Sequence, residues 1–327
     1  MSHKFWTSIF SLLLFGLLCF SCKRNIKSSP NESSVVKVQE NKIDPVAAIA
    51  TQVAISSNVT YNTVDGMDLK LDVYFQGTSL GEGPIWFAKK KKPQPTLLYI
   101  HGGGWQEGNK ETRALKILPY IFKGWTVVNI DYRLAKDAPA PAAIYDCITA
   151  LNWIGENAER YGFDTSKIVV SGESAGGHLS LMAGLLNTGD EVVTGMPKID
   201  KKVNIAAIIN WYGITDIAKQ FNYPSKEIEH PWLKPGQKDT LTYLNKLSPI
   251  YYVKSDSPPV ITIHGTADPV VPYAQAPILK KYLDEANVLN TLIKIDGKKH
   301  GNFSAIEQSN TFQEIWGFLE NEAKIEF

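Results

Sequence analysis

Residues 171 to 177, Ser171-Gly172-Glu173-Ser174-Ala175-Gly176-Gly177, follow the run Lys167-Ile168-Val169-Val170 and precede Leu179-Ser180-Leu181-Met182-Ala183. The order reads as strand, tight turn, helix, with Ser174 at the turn. In a G-x-S-x-G turn of this kind, strand and helix approach too closely for a Cβ at either glycine, and the serine takes a strained backbone conformation that leaves Oγ exposed at the helix N-terminus. By accident the pattern arises in roughly one chain in ten of this length. The rest of the sequence must therefore decide what the turn means.

Past residue 57, short β-rich runs alternate with helical stretches, the signature of a mostly parallel central sheet with helices on both faces. Strands are expected at 68–74, 96–100, 126–131, 167–171, 205–211, 260–264 and 291–295, and most are continuous apolar runs, as buried parallel strands are. Helices are expected at 112–122, 142–160, 175–186, 274–285 and 306–323. Ligands of such sheets bind beyond the carboxyl ends of the strands.

Three further segments fall at such ends. His101-Gly102-Gly103-Gly104-Trp105 follows the strand Leu97-Leu98-Tyr99-Ile100, and a His with three glycines arises by chance in fewer than about one chain in a hundred. Consecutive glycines let backbone N–H groups converge on a developing oxyanion, so Gly103 and Gly104, with the N–H of Ala175, are the expected donors. A phosphate cradle would need a Gly-Lys-Ser/Thr ending, which does not follow. The other two segments are His264-Gly265-Thr266-Ala267-Asp268-Pro269 and Lys298-Lys299-His300-Gly301-Asn302-Phe303. A serine nucleophile needs a base near neutral pH, and the imidazole needs a carboxylate to fix its tautomer. Ser174, Asp268 and His300 occur in the required order.

Alternatives exist for two of these roles. Asp216, in Trp211-Tyr212-Gly213-Ile214-Thr215-Asp216, also follows a strand, but Asp268 follows a later one, as the order requires. His178 lies four residues after Ser174 on the same helix, whereas bases of this class come from a late loop. His101 is read as bracing the glycine loop, His264 as a packed core histidine, and Asp131 with Arg133 as a structural ion pair or turn. The tentative substrate pocket is Trp105, Glu173, His178 and Trp211, with Tyr212 and Trp232 as further aromatic candidates.

HGGGW at 101 to 105, DYRL at 131 to 134, YGFD at 161 to 164, GESAGGHL at 172 to 179, HGTADPVVP at 264 to 272 and HGNF at 300 to 303 together resemble an α/β-hydrolase esterase. More narrowly, the chain is similar to the feruloyl esterase-like (BD-FAE-like) carboxylesterases, near the hormone-sensitive-lipase group. The similarity covers nearly all of residues 60 to 325. HGTADPVVP matches the feruloyl esterase-like and peptidase-like branches rather than the Asp-Pro-Leu of the lipase group. The resemblance implies an α/β-hydrolase fold and a serine carboxylesterase acting on short-chain acyl or hydroxycinnamoyl esters, on small molecules or on polysaccharides. A prolyl oligopeptidase-like peptidase stays open because of the acid loop, although the tether is too short to hold a propeller domain. A noncatalytic glycan-binding lipoprotein on a hydrolase scaffold is the reading from another class, and the joint presence of Ser174, Asp268, His300 and the glycines argues against it.

Residues 1–21 carry one charge, Lys4, and an apolar stretch ending in Cys19-Phe20-Ser21-Cys22. This has the form of a signal peptide, and a Cys after a small residue at its end looks like the acylation site of a bacterial lipoprotein. The expectation is a lipid anchor on Cys22, with the protein exported and held at a membrane; ordinary secretion is the alternative. Residues 22–57 are read as a tether and 58–327 as one catalytic domain. Within it, the polar, aromatic segment 220–246 is read as a lid or pocket insertion. The whole chain carries 34 Lys and Arg against 33 Asp and Glu, and loss of Lys4 would leave the remainder balanced, which argues against nucleic acid as a partner. Lys89 to Lys92 read as a solvated loop. Of three cysteines, only Cys147 belongs to the domain, as a buried thiol. No cysteine or histidine cluster has metal spacing and no G-x-G-x-x-G links a strand to a helix, so no cofactor is expected.

Overall fold

The computed structural model describes residues 53–76, 92–186, 197–200, 202–225, 228–234 and 240–326. The segment read as a signal (1–21), Cys22, the tether up to residue 52, and Lys89 to Lys91 lie outside the described residues.

Among the described residues, eight strands form one sheet: β1 (Val53–Val64), β2 (Met67–Gln76), β3 (Gln94–Ile100), β4 (Thr126–Ile130), β5 (Phe163–Glu173), β6 (Ile205–Trp211), β7 (Val260–Gly265) and β8 (Asn290–Ile295). Their order is β1-β2-β4-β3-β5-β6-β7-β8. The first two pairings, β1 with β2 and β2 with β4, are antiparallel, and all the others are parallel. β1 was not foreseen and begins inside the stretch read as tether. It is an edge strand on which only Tyr61 is buried, so it lacks a continuous apolar run. Its partner is fixed by a two-residue turn, Asp65-Gly66, with φ of 50° and 80°, the left-handed pair that matches the twist of a hairpin.

The central strands bury nearly every side chain, alternately toward the two faces. Leu97, Tyr99, Val127 and Val169 pack on one side against Ile117, Tyr120, Ile315 and Phe318. Leu98, Ile100, Val128 and Val170 pack on the other against Ile144, Cys147, Leu151, Leu179 and Met182. Each such aliphatic side chain contributes about 1.5–3 kcal/mol of transfer free energy. The helices among the described residues are α1 (Leu118–Phe122), α2 (Ala142–Glu156), α3 (Ala158–Tyr161), α4 (Ala175–Leu185), α5 (Ile217–Gln220), α6 (Thr240–Lys246), α7 (Gln275–Glu285) and α8 (Ala305–Asn321). The expected helix at 112–122 is instead a 3₁₀ turn at Ala114–Ile117 followed by α1, because Pro119 is tolerated only in the first turn of an α-helix. α4 is buried on every side, as a helix apolar all round should be. Cys147 is a free, buried thiol, and burial pushes its pKa up.

The register levels the strand ends where the motifs sit. Ile100 at the end of β3 pairs with Gly172, Glu173 of β5 pairs with Trp211, and Trp211 of β6 pairs with Ile263. β3 lies between β4 and β5, where the chain reverses its direction of travel across the sheet. Open α/β sheets bind ligands at such a switch point.

Candidate active site

Ser174 caps α4 with φ 55° and ψ −119°, a conformation rare for any residue with a side chain and held only where the surroundings over-determine it. Gly172 and Gly176 supply that constraint. A Cβ on Gly172 would lie 2.6 Å from the Ile100 carbonyl oxygen, and one on Gly176 would lie 2.5 Å from that of His101. The strand that must come so close is β3 as well as the helix of the same turn. Ser174 N–H donates to Trp211 O at 2.9 Å, tying the turn to β6.

The glycine loop takes positive φ at Gly103 (116°), Gly104 (58°) and Trp105 (59°). Gln106 and Glu107 N–H both donate to Gly103 O at 3.0 Å, closing the loop back on itself. A Cβ on Gly103 would lie 2.7 Å from the Glu107 carbonyl carbon. Neither Gly103 N–H nor Gly104 N–H is spent on another group among the described residues. Ala175 opens α4, so its N–H has no acceptor inside the helix. His101 braces the loop as expected: its Nδ1 donates to Gly102 O at 2.6 Å, and its ring stacks on Tyr132 at 4.3 Å.

The loops after β7 and β8 are joined to each other before they meet Ser174. Ala267 N–H donates to Lys298 O at 3.0 Å, and Gly297 N–H donates to Thr266 Oγ1 at 2.8 Å. Ser304 and Glu307 then form a capping box that starts α8. The result is a 2.7 Å hydrogen bond from His300 Nδ1 to Asp268 Oδ2. Asp268 Oδ1 accepts from Val270 and Val271 N–H at 2.8 and 3.0 Å, and His264 Nε2 lies 3.4 Å from Oδ2. Burial alone would raise the Asp268 pKa, but the bonds from His264, His300 and the two amides outweigh it and hold the carboxyl well below the usual range. Asp268 is therefore a fixed anion, and its bond leaves His300 Nε2 as the ring nitrogen available for a proton.

Ser174, His300, Gly102, Gly103 and Gly104 line one cavity of about 790 Å³. Asp216 stands apart from this arrangement: it caps α5, accepting from Lys219 N–H at 3.0 Å. Among the described residues, no group of three or more His, Cys, Asp or Glu is placed to hold a metal ion.

The BD-FAE family model matches residues 85–283, more than half of the chain. The chain belongs to the BD-FAE family. It is similar to esterase LipQ of Mycobacterium tuberculosis, with 32% identity over 196 residues, 59% of this chain and 46% of LipQ. The chain thus spans about half the length of this relative. Among solved structures it resembles a truncated carbohydrate esterase from gut microbiota, with TM-score 0.68, 26% identity, and coverage of 84% of this chain and 98% of the other. It also resembles a bifunctional GH43-CE protein of Bacteroides eggerthii, with TM-score 0.66, 27% identity, and coverage of 82% and 38%. The fold is that of the α/β-hydrolases.

This BD-FAE member departs from the expected pocket. Of its four tentative residues only Glu173 lines the cavity that holds Ser174. Trp105 is buried and stacks on the equally buried Trp232, centroids 4.1 Å apart and planes 8° apart. His178 meets both edge-on at 5.1 and 5.4 Å, and its Nε2 donates to Leu247 O at 2.7 Å. Burial pushes its pKa down to about 4, against the Leu247 bond. These three rings form a plug beneath the glycine loop, because a large apolar ring beside a backbone turn gains more by packing than by facing solvent. Trp211 lines a separate, smaller cavity. The described part of 220–246 contributes Trp232 to this plug, so it works there as an anchor for the loop.

One other expectation is corrected. Arg133 pairs with Asp146 at 2.7 Å, whereas Asp131 accepts from Lys110 N–H at 2.7 Å. Glu173 is a charge hub beside the nucleophile. Its Oε1 lies 3.1 Å from Arg113 Nε, its Oε2 pairs with Lys116, and Tyr212 Oη donates to Oε2 at 2.6 Å. Burial would raise the Glu173 pKa, but Lys116, Tyr212 and Arg113 lower it further. Tyr212 itself has φ 42°, and its ring meets His300 at 4.7 Å between centroids. Tyr212, an aromatic candidate from the sequence, lines the cavity of Ser174, whereas Arg113 and Lys116 carry no motif and only the three-dimensional arrangement brings them to Glu173.

Proposed function

We propose that the protein is a serine carboxylesterase that hydrolyses esters through an acyl-serine intermediate. The observation that carries this reading is the Asp268–His300 pair, bonded at 2.7 Å and opening on the same cavity as the strained Ser174. His300 Nε2 takes the proton of Ser174 Oγ as the oxygen attacks the ester carbonyl. The tetrahedral oxyanion then accepts hydrogen bonds from the N–H groups of Gly103, Gly104 and Ala175, each worth about 3–4 kcal/mol of barrier. His300 passes its proton to the leaving alcohol, the acyl-serine remains, and water activated by His300 releases the acid. Asp268 stays ionised throughout.

Short acyl and hydroxycinnamoyl esters on glycans are the substrates we favour. The names of two relatives, one an esterase and one a carbohydrate esterase, support an ester carried on a glycan, and the choice of acyl group rests on the resemblance of the motifs alone. The sequence of residues 1–22 supports a lipid anchor on Cys22, which would hold the enzyme at a membrane facing such substrates. Ser174→Ala should abolish hydrolysis of p-nitrophenyl acetate and labelling by a fluorophosphonate while leaving the unfolding midpoint within a few degrees. Activity or labelling retained in that variant would sink the assignment.

A further inference from the structure

Val270 is the one aliphatic side chain in the described lining of the Ser174 cavity. Such a wall gives a fatty chain little apolar surface to bury against. Two exposed charged side chains stand in it, Arg113 and Glu107.

Arg113 is held in place without being satisfied. It flanks the 3₁₀ turn at Ala114–Ile117, and its carbonyl accepts from Lys116 N–H at 2.9 Å. Its Nε lies 3.1 Å from Oε1 of Glu173, the neighbour of the nucleophile, and its side chain is 55% exposed against 6% for Glu173. A guanidinium carries four further N–H groups on Nη1 and Nη2, and among the described residues none of them makes a hydrogen bond. Glu173 is already shared, since Lys116 and Tyr212 Oη both bind its Oε2. Two cations thus meet one buried anion, and Arg113 is both the more exposed of them and the one that lines the cavity. The free edge of a guanidinium matches a carboxylate, which takes two parallel N–H···O bonds from it. Glu107 forms no ion pair among the described residues. It turns a substrate anion away from its own side and can accept from the hydroxyls of a sugar.

We propose that Arg113 is a specificity-determining residue that binds a carboxylate carried by the ester, on the alcohol side as in a uronate sugar or on the acyl side as in a dicarboxylic half-ester. This rests on the reading of Ser174 as the nucleophile. The test compares charged esters with their neutral amides on the full-length protein, with acid release followed by pH-stat. Triacetylated methyl glucuronoside and its glucuronamide place the charge on the alcohol, and monoethyl succinate and ethyl succinamate place it on the acyl group. In one of the two pairs kcat/KM for the carboxylate should exceed that for the amide about three- to tenfold, between the worth of an exposed ion pair and that of a charged hydrogen bond. The preference should shrink as salt is added. Arg113→Gln should bring the ratio down to about one or below, and Arg113→Lys should restore part of it, because a point charge lacks the fork. Any effect passed through Glu173 slows both members of a pair alike and leaves the ratio unmoved. A ratio near one in both pairs, or a preference that survives Arg113→Gln, overturns the carboxylate site, while hydrolysis of the amides keeps the esterase reading standing. Failure to hydrolyse any of the four esters would count against the esterase reading instead. Calorimetric titration of Ser174→Ala, which leaves the esters intact, then decides the site: tighter binding of the carboxylate, lost on adding Arg113→Gln, supports it, and equal binding of carboxylate and amide overturns it.

Discussion

Tyr212 Oη donates to Glu173 Oε2 at 2.6 Å while its ring meets His300 edge-on at 4.7 Å, so the residue beside the nucleophile and the base share one support. A hydrogen bond to a charged group contributes about 1.5–3 kcal/mol. Tyr212→Phe keeps the ring and loses that bond. The expected result is kcat lower by about tenfold with KM within about twofold of wild type, because the lost bond acts through the placement of Glu173 and His300. Glu173→Gln should act in the same direction, and the double variant should lose less than the product of the two. Steady-state kinetics on the three variants checks this, and strictly multiplicative losses would separate Glu173 from Tyr212.

Gly103→Ala tests the loop. Its φ of 116° excludes a side chain, and the new Cβ would run into the Glu107 carbonyl. The loop must open, displacing the amide donors, and kcat should fall by about 10²–10³, the range for losing an oxyanion donor. The unfolding midpoint should drop only modestly, since Gly103 lies beyond the carboxyl end of β3, outside the packed sheet. Ester hydrolysis beside a thermal melt distinguishes the two effects.

His178 makes the fold acid-sensitive. Its folded pKa of about 4 lies below the unfolded value near 6.5, so the native state holds it neutral. That contribution is fully present above about pH 6.5 and is lost as pH falls through about 4, amounting to about 3 kcal/mol at the acid end. Burial depresses His101 in the same sense. Asp268, also depressed, adds a loss only below about pH 4. Urea unfolding at pH 7 and pH 4.5 should therefore show a clear fall in stability, and His178→Gln, which retains a donor for Leu247 O, should flatten it. An unchanged slope in that variant would place the acid sensitivity elsewhere.

Trp232→Ala removes a fully buried ring from beneath the glycine loop. Deleting a buried tryptophan costs about 3–5 kcal/mol, and Trp105 loses its stacking partner. Stability should fall by that amount in urea, and kcat should fall with it as the loop loosens. If 220–246 worked as a free lid over the site, the variant would change KM and leave stability nearly intact.

Much of this arrangement is legible in the sequence because it is local. The strands near Ile100, Gly172, Trp211 and His264 stand where apolar runs placed them, and Ser174, Asp268 and His300 lie at strand ends around one turn. Strand β1 escaped because an edge strand shows only half an apolar pattern, although Asp65-Gly66 marked its hairpin. The pocket escaped for a different reason. A tryptophan next to a glycine loop reads as a pocket wall, and only the stacking of Trp105 on Trp232, more than a hundred residues away, turns it inward.

What the sequence by itself determined is therefore the backbone: the alternation of buried strands and helices, the glycines that let Ser174 take its strained turn, and the order of nucleophile, acid and base. Those features follow from steric rules acting over a few residues. Only the tertiary structure decided which side chains surround Ser174. Glu173 and Tyr212 were candidates from the sequence, but Arg113 and Lys116, from a third segment, meet Glu173 only through packing against the sheet. No spacing along the chain encodes that meeting, because its geometry is set by the register of β5 and β6 and by the closeness of β3 to Gly172 and Gly176.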